Sequence, residues 1–160
     1  MIELTLSGLE ATRFLARRMA PALAACDVIG LAGPLGAGKT TFARALIEAL
    51  AEAGGTGPVG EVPSPTFTLV QVYETSAAPV WHFDLYRLEH PGDALELGIE
   101  EAFANAISII EWPERLGDCM PGSWLELGIQ RDRDGARRAV IRGHGSRGVV
   151  LERALQKSAA

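Results

Sequence analysis

The sequence predicts an α/β protein: a mixed, mostly parallel sheet with helices on both faces and a hairpin near the C-terminus. Three observations carry this. Short apolar runs alternate with amphipathic stretches, the pattern of strands crossing back through helices. A glycine-rich turn, Gly33 to Gly38, joins the first apolar run to such a stretch. Late in the chain, two alternating segments flank Asp134-Gly135, a hairpin signal that makes the sheet mixed. The 160 residues, 48% hydrophobic and 22% charged, suit one globular domain spanning 1–160.

Taken in order, Ser7 and Glu10 have capping-box spacing and open a first helix, with Leu15, Met19 and Leu23 on one face. Pro21 ends or kinks it. Val28-Ile29-Gly30-Leu31-Ala32 reads as a buried strand. A second helix runs from Thr40, carries Phe42, Leu46, Ile47 and Leu50 on one side, and stops at Gly54-Gly55. A loop rich in Gly and Pro runs from Gly54 to Pro65. Strands are expected over Thr66 to Tyr73, Val80 to Asp84 and Ala106 to Glu111, with mostly helical sequence over residues 91–104. Trp124 to Gln130 should pair with Arg137 to Arg142, and a helix from Val149 to Gln156 follows.

Composition removes several function classes. The net charge of −5 argues against coating nucleic acid by bulk charge. That total conceals a division, because residues 81–130 carry −8 and residues 131–160 carry +5. Arginine supplies 13 of the positive charges and lysine only two, Lys39 and Lys157. The first residues lack a basic segment ahead of an apolar core, so no signal peptide is expected there. Between Met19 and Gly38 the only charge is Asp27, but prolines and glycines interrupt the stretch and argue against a membrane helix. Cys26 and Cys119 have no metal-like spacing and read as reduced cytosolic thiols, and His82, His90 and His144 form no ligand pattern.

Gly33-Pro34-Leu35-Gly36-Ala37-Gly38-Lys39-Thr40 matches the phosphate-loop pattern G-x-x-x-x-G-K-[ST] in full. Gly33, Gly36 and Gly38, with Leu35 and Ala37 between them, let the backbone turn successive N–H groups inward onto phosphate oxygens. The helix that follows, beginning with Thr40 and Thr41, aims its positive end at the same place. Lys39 can reach the β- and γ-phosphates, and the Thr40 hydroxyl is a magnesium ligand. The strand before and the helix after supply the context that separates this motif from a chance match. The fold class is therefore P-loop NTPase-like.

Such a site needs acids. Asp84 and Glu111 each end an apolar strand, where a parallel sheet opens its ligand crevice. Asp84 is short and suits a magnesium shell. Glu111 reaches further and suits holding or deprotonating water. The competing reading has either carboxylate cap a helix or pair with Arg87 or Arg115. Thr66, in Ser64-Pro65-Thr66-Phe67, resembles a switch-loop hydroxyl, against the reading of a strand-start threonine bonded locally. His82 is read as a satisfied core histidine. Trp112 either contacts nucleotide or packs. No guanine-pocket motif occurs, which favours ATP over GTP.

Four blocks together resemble the TsaE (formerly YjeE) family: the phosphate loop through Thr41, Ser64-Pro65-Thr66-Phe67-Thr68-Leu69-Val70, His82-Phe83-Asp84-Leu85-Tyr86-Arg87-Leu88, and Ile110-Glu111-Trp112-Pro113-Glu114. Pro34 departs from the acidic residue common at that position in the family, the Gly-rich loop at 54–60 is extended relative to it, and the sequence from Arg131 onward is the least family-like. The resemblance implies a cytoplasmic ATPase using ATP and Mg2+, needed for threonylcarbamoyladenosine in tRNA, working with TsaB and TsaD without itself performing the carbamoyl transfer. Carried over by position, it implies that Lys39 and Thr40 bind phosphate and magnesium and that Thr66 lies in a switch-like loop. Asp84 becomes a magnesium-side acid and Glu111 the catalytic carboxylate.

The expected function is thus a partner-activated ATPase, weak alone. Lys39, Glu111 and Asp84 carry the chemistry, and Thr40, Asp84 and Glu111 form the metal side. One alternative is a small-molecule kinase that closes the arginines of residues 131–138 over phosphates as a lid. Another is a nucleotide-dependent assembly factor for which binding suffices. The basic stretch 131–147 is either a solvated face or a contact for tRNA or an acidic partner. On the contact reading, Arg137 and Arg138 act together, and changing both weakens assembly while sparing basal hydrolysis.

Overall fold

The first strand to form a pleat is the start of the chain itself. Ile2-Glu3-Leu4-Thr5-Leu6 alternates apolar and polar residues, and β1 spans Ile2–Leu6. In this computed structural model, which describes residues 1–55 and 60–157, β1 is an element that the sequence reading above omitted. Helix α1 (Leu9–Met19) follows, with Gly8 at its N-cap and no side-chain cap bond, so the Ser7–Glu10 capping box does not form. Pro21 does end the helix, which tightens into a 3-10 turn over Ala20–Ala22.

Next come β2 (Val28–Ala32), α2 (Lys39–Ala53), β3 (Val70–Tyr73) and β4 (Val80–Asp84). A 3-10 segment (Pro91–Leu97) and α3 (Ile99–Asn105) then lead to β5 (Ile107–Glu111). A second 3-10 segment (Pro113–Cys119), β6 (Trp124–Arg131), β7 (Arg137–His144) and α4 (Gly145–Lys157) complete the described chain. Part of the extended loop over 54–60 lies outside the described residues. The strand expected from Thr66 begins only at Val70, because Leu69 turns into the left-handed region at φ 65° and gives its carbonyl to the Asp84 amide at 3.0 Å. A strand could not hold that bend.

The seven strands lie in the order β1-β7-β6-β2-β5-β4-β3. β2 pairs in parallel with β5 and β6, and β4 in parallel with β5, while β3 and the β6–β7–β1 edge pair antiparallel. Five of the seven strands therefore run the same way, and the sheet is mixed as expected. Period-2 alternation gives each strand two faces. Ile29, Leu31, Ile107, Ile109, Leu127 and Ile141 meet α1, α2 and α4 on one side. Val28, Phe83 and Ile110 meet α3 and the 3-10 segments on the other. The consequence for function is positional: β2, β4, β5 and β6 end at one edge of the sheet, and α2 starts there.

α4 begins four residues before the expected start. Gly148 lies in its first turn, where a Cβ would sit 2.2 Å from the Trp124 carbonyl oxygen. Close approach to β6 thus requires the glycine that makes this stretch read as a poor helix. Arg147 ties the same turn to β2: its guanidinium holds Asp27 through bonds of 2.7 and 2.6 Å, and Asp27 also accepts from the Ala24 amide at 2.8 Å. Asp27 is buried and Arg147 half-exposed, so water screens part of the interaction. Arg147→Ala strands a buried carboxylate, and a loss of about 2 kcal/mol is expected, lowering Tm by about 4–8 °C in a thermal melt. An unchanged Tm would refute this account of the α4 anchor.

Candidate active site

The loop between β2 and α2 is shaped by glycines that have no substitute. Gly33, at φ 142°, leaves no room for a side chain, since a Cβ would meet the Ile129 carbonyl oxygen of β6 at 2.2 Å. Gly38, at φ 110°, caps α2 in the left-handed region. Ala37 is buried behind the loop, its amide bonded to the Pro34 carbonyl at 3.2 Å. Leu35, Gly36, Gly38, Lys39, Thr40 and Thr41 line one side of a cleft of about 250 Å³.

Lys39 is 5% exposed, and its ammonium donates to the loop's own carbonyls, Gly33 O at 2.5 Å and Pro34 O at 2.8 Å. It also lies 3.9 Å from the centre of the Trp112 ring. Burial pushes its pKa below the usual lysine value, opposed by the charges of Glu111, Glu114 and Asp84. Trp112 takes a left-handed backbone, φ 61°, directly after β5, and its ring meets that of Tyr86 in a tilted contact at 4.9 Å. Trp112 therefore packs on the phosphate-loop lysine and lines the cleft as well.

The carboxylates come from neighbouring strands in register. Asp84 on β4 pairs with Glu111 on β5, and Leu31 on β2 pairs with Glu111 from the other side. Ile107, Ile109 and Glu111 share the α2-facing side, as do Val80, His82 and Asp84, so the three polar groups converge under the phosphate loop. Thr40 donates its hydroxyl to Glu111 Oε1 at 2.6 Å. His82 Nε2 lies 2.7 Å from Glu111 Oε2. His82 is fully buried and Glu111 2% exposed. His82 Nδ1 has no partner among the described atoms, and Nε2 donates to the carboxylate, which can only accept.

Asp84 is held separately. It accepts from the Tyr86 amide at 3.1 Å and from the Thr66 hydroxyl at 3.2 Å, and Thr66 lies 2.7 Å from Ser64 Oγ. Thr66 is thus bonded to an acid of the cleft and does not start a strand. Neither acid pairs with the arginines named as competitors: Arg87 stacks on Phe67 at 4.6 Å, and Arg115 lies 6.0 Å from the Tyr86 ring.

Ten of the residues expected from sequence face this cleft, while Gly33 and Ala37 shape the loop from behind. Three further residues lie in or beside the cleft. His82 is the buried core histidine expected from sequence, and its contact with Glu111 is the part that the sequence does not show. Tyr86 lies two residues beyond Asp84. Arg137 is expected from sequence either among the lid arginines of the kinase alternative or, with Arg138, as a surface contact; it lines the cleft, while Arg138 pairs with Asp132 at 3.4 Å on the opposite side of β7. The pairing of the two arginines as one surface is therefore corrected, and strand alternation is the signal that separates them.

A hydroxyl and two carboxylates are hard oxygen donors of the kind magnesium takes, and it commonly binds through one or two carboxylates together with substrate phosphates. Among the described residues no group of three or more His, Cys, Asp or Glu side chains could hold a metal alone. Thr40, Glu111 and Asp84 suit an ion that shares its shell with phosphates. No described helix is long and apolar enough to cross a membrane.

Comparison with known proteins gives the family and the fold. A family model described as "Threonylcarbamoyl adenosine biosynthesis protein TsaE" matches residues 6–140. A protein named "tRNA threonylcarbamoyladenosine biosynthesis protein TsaE" in Rickettsia felis is 38% identical over 127 residues, 79% of this chain and 71% of its own. One of the same name in Bacillus subtilis is 33% identical over 143 residues, covering 89% and 85%. The crystal structure of YdiB from Bacillus subtilis superposes with a TM-score of 0.78 at 27% identity, over 99% of this chain and 96% of that one.

Proposed function

The chain belongs to the TsaE family of tRNA threonylcarbamoyladenosine biosynthesis, and on that premise we propose that it is an ATPase of this pathway that hydrolyses ATP slowly alone and faster with TsaB and TsaD. The observation that carries the reading is the Thr40–Glu111 bond of 2.6 Å, which joins the phosphate loop to a strand-end acid. A loop that merely turned would have no reason to bind a buried carboxylate.

In this reading the loop amides and the positive end of α2 bind the phosphate chain. Lys39 leaves the Gly33 and Pro34 carbonyls to neutralise the β- and γ-phosphates. The Thr40 hydroxyl, with Glu111 and Asp84 nearby, would hold magnesium, which would supply charge neutralisation at the phosphates. A carboxylate offers about four lone-pair sites. Thr40 and His82 occupy two on Glu111, leaving others to accept a hydrogen bond from the attacking water. That water displaces ADP from the γ-phosphorus, and positioning with charge stabilisation does most of the work.

In this reading Lys39 is the cation on the phosphates and no further one is assigned to the transition state, so unaided hydrolysis is slow. An arginine delivered by a partner adds about 10³–10⁵ in rate. The kinase reading loses ground because its lid is no lid: residues 131–138 form the end of a hairpin whose β6 strand also pairs with β2 and presses on Gly33. The reading places the protein in the cytoplasm, where free thiols such as Cys26 and Cys119 persist. Within residues 131–147, Arg131 and Arg133 are left for tRNA or an acidic partner, since Asp27 holds Arg147 and Arg142 donates to Met1 Sδ.

The test is steady-state ATP turnover of the purified chain with and without TsaB and TsaD. Turnover below about one per minute alone, raised at least tenfold by the pair, is expected. Fast turnover that the pair leaves unchanged would overturn partner activation.

A further inference from the structure

Arg137 is out of place for a surface arginine. β7 alternates, with Ala139 and Ile141 buried beneath the helices that cover this face, so Arg137 points to the same side as α2. There its guanidinium lies against the phosphate loop, 3.2–3.4 Å from where a Cβ on Gly38 would stand. It lines the cleft with Lys39 and Glu111. Among the described residues its side chain has no hydrogen-bonded or ion-paired partner, unlike that of its neighbour Arg138.

Its strand partner sharpens the point. Arg137 stands directly opposite Arg131 across the β6–β7 ladder. Like charges in that relation repel and destabilise a sheet. An anion beside them would offset the cost, and a guanidinium fork matches a phosphate in two bonds at once.

Sheet order says which part of a nucleotide that anion belongs to. From β2, which feeds the phosphate loop, the acids lie on one side: Glu111 on β5 next door, then Asp84 on β4. Arg137 lies on the other side, two strands away on β7 beyond β6. The terminal phosphate and its metal belong with the acids. The remainder of the nucleotide leaves toward β6 and β7. We propose that Arg137 is a nucleotide-binding residue that holds the α-phosphate end, supplied by the chain's own hairpin and distinct from any arginine that a partner brings to the γ-phosphate. This rests on the ATPase reading above.

The role predicts a separation of binding from rate. An arginine on the α-phosphate contacts ground state and transition state alike, so its loss raises KM and leaves kcat nearly unchanged. An arginine on the transferring phosphate lowers kcat instead. Arg137→Gln should bind ATP and ADP each at least tenfold more weakly by calorimetry, raise KM to match, and reduce kcat less than twofold. Arg137→Lys keeps charge without the fork and should fall between Arg137→Gln and wild type. Arg138→Gln should bind both nucleotides as wild type does. Melting curves of all three variants check the fold. Arg137→Gln binding both nucleotides like wild type overturns the proposal, and so does a large loss of kcat at unchanged affinity. If wild type itself binds neither nucleotide, the ATPase reading fails first and takes this one with it.

Discussion

Glu111→Gln is expected to lower kcat for ATP hydrolysis by about 10²–10³ while changing ATP affinity by less than about fivefold. The carboxylate has two fixed bonds, from the Thr40 hydroxyl at 2.6 Å and from His82 Nε2 at 2.7 Å. A glutamine can still accept from Thr40, so the phosphate loop keeps its tie to β5. It cannot act as a base, and a neutral amide orients water more weakly than a charged group. The second bond suffers too. The amide presents N–H toward His82 Nε2, which must then become the acceptor and move its proton to Nδ1. That nitrogen is buried with no partner, so the new N–H goes unsatisfied at a cost of about 1–3 kcal/mol. The variant should therefore melt a few degrees lower while losing nearly all turnover. The measurement pairs saturating-ATP turnover with calorimetric binding. Hydrolysis within threefold of wild type would remove Glu111 from the mechanism. A variant with that loss that still sustains repeated tRNA modification would show that binding suffices, as an assembly factor requires.

What could be read from sequence divides along a physical line. The phosphate loop was legible because its requirement is local: glycines, one lysine and one hydroxyl at fixed spacing between a strand and a helix. Asp84 and Glu111 were legible because each ends an apolar run at the edge where a parallel sheet opens. His82 was not, because a buried histidine means nothing until register is known. Only the pairing of β4 with β5, His82 opposite Ile109, brings its ring to the Glu111 side chain. Arg137 and Arg138 looked alike as neighbours in a basic stretch, and the strand's two faces send one to the cleft and the other away. Two misread elements share a different cause. The run from Thr66 has strand composition, but its bond to Asp84 holds it as a loop. The start of α4 has loop composition, and its contact with β6 makes it helix. In both, tertiary contacts overrule local preference.

Lys39→Met should abolish nucleotide binding and yet leave the free protein at least as stable. The two effects have one source. Lys39 is buried, and burial lowers its pKa against the pull of Glu111, Glu114 and Asp84. A base with a depressed folded pKa costs the native state stability as long as it is charged. The cost is fully present below the depressed value and disappears as pH rises toward the ordinary lysine pKa of about 10.4. At neutral pH the free protein therefore carries this cost, and a phosphate chain removes it by pairing the charge. Methionine keeps the stem, loses the charge, and still packs against the Trp112 ring. The Gly33 and Pro34 carbonyls lose their donor, but both belong to a loop at the cleft, within reach of water. In a thermal melt, wild type should gain several degrees with Mg-ATP, whereas Lys39→Met should gain none and start at or above the wild-type Tm. Lys39→Arg separates charge from shape. A guanidinium is too broad for the space between two carbonyls and the Trp112 ring, so that variant should also fail to bind while melting lower than wild type. ATP raising the Tm of either variant as it does the wild type would mean that Lys39 does not contact the phosphates.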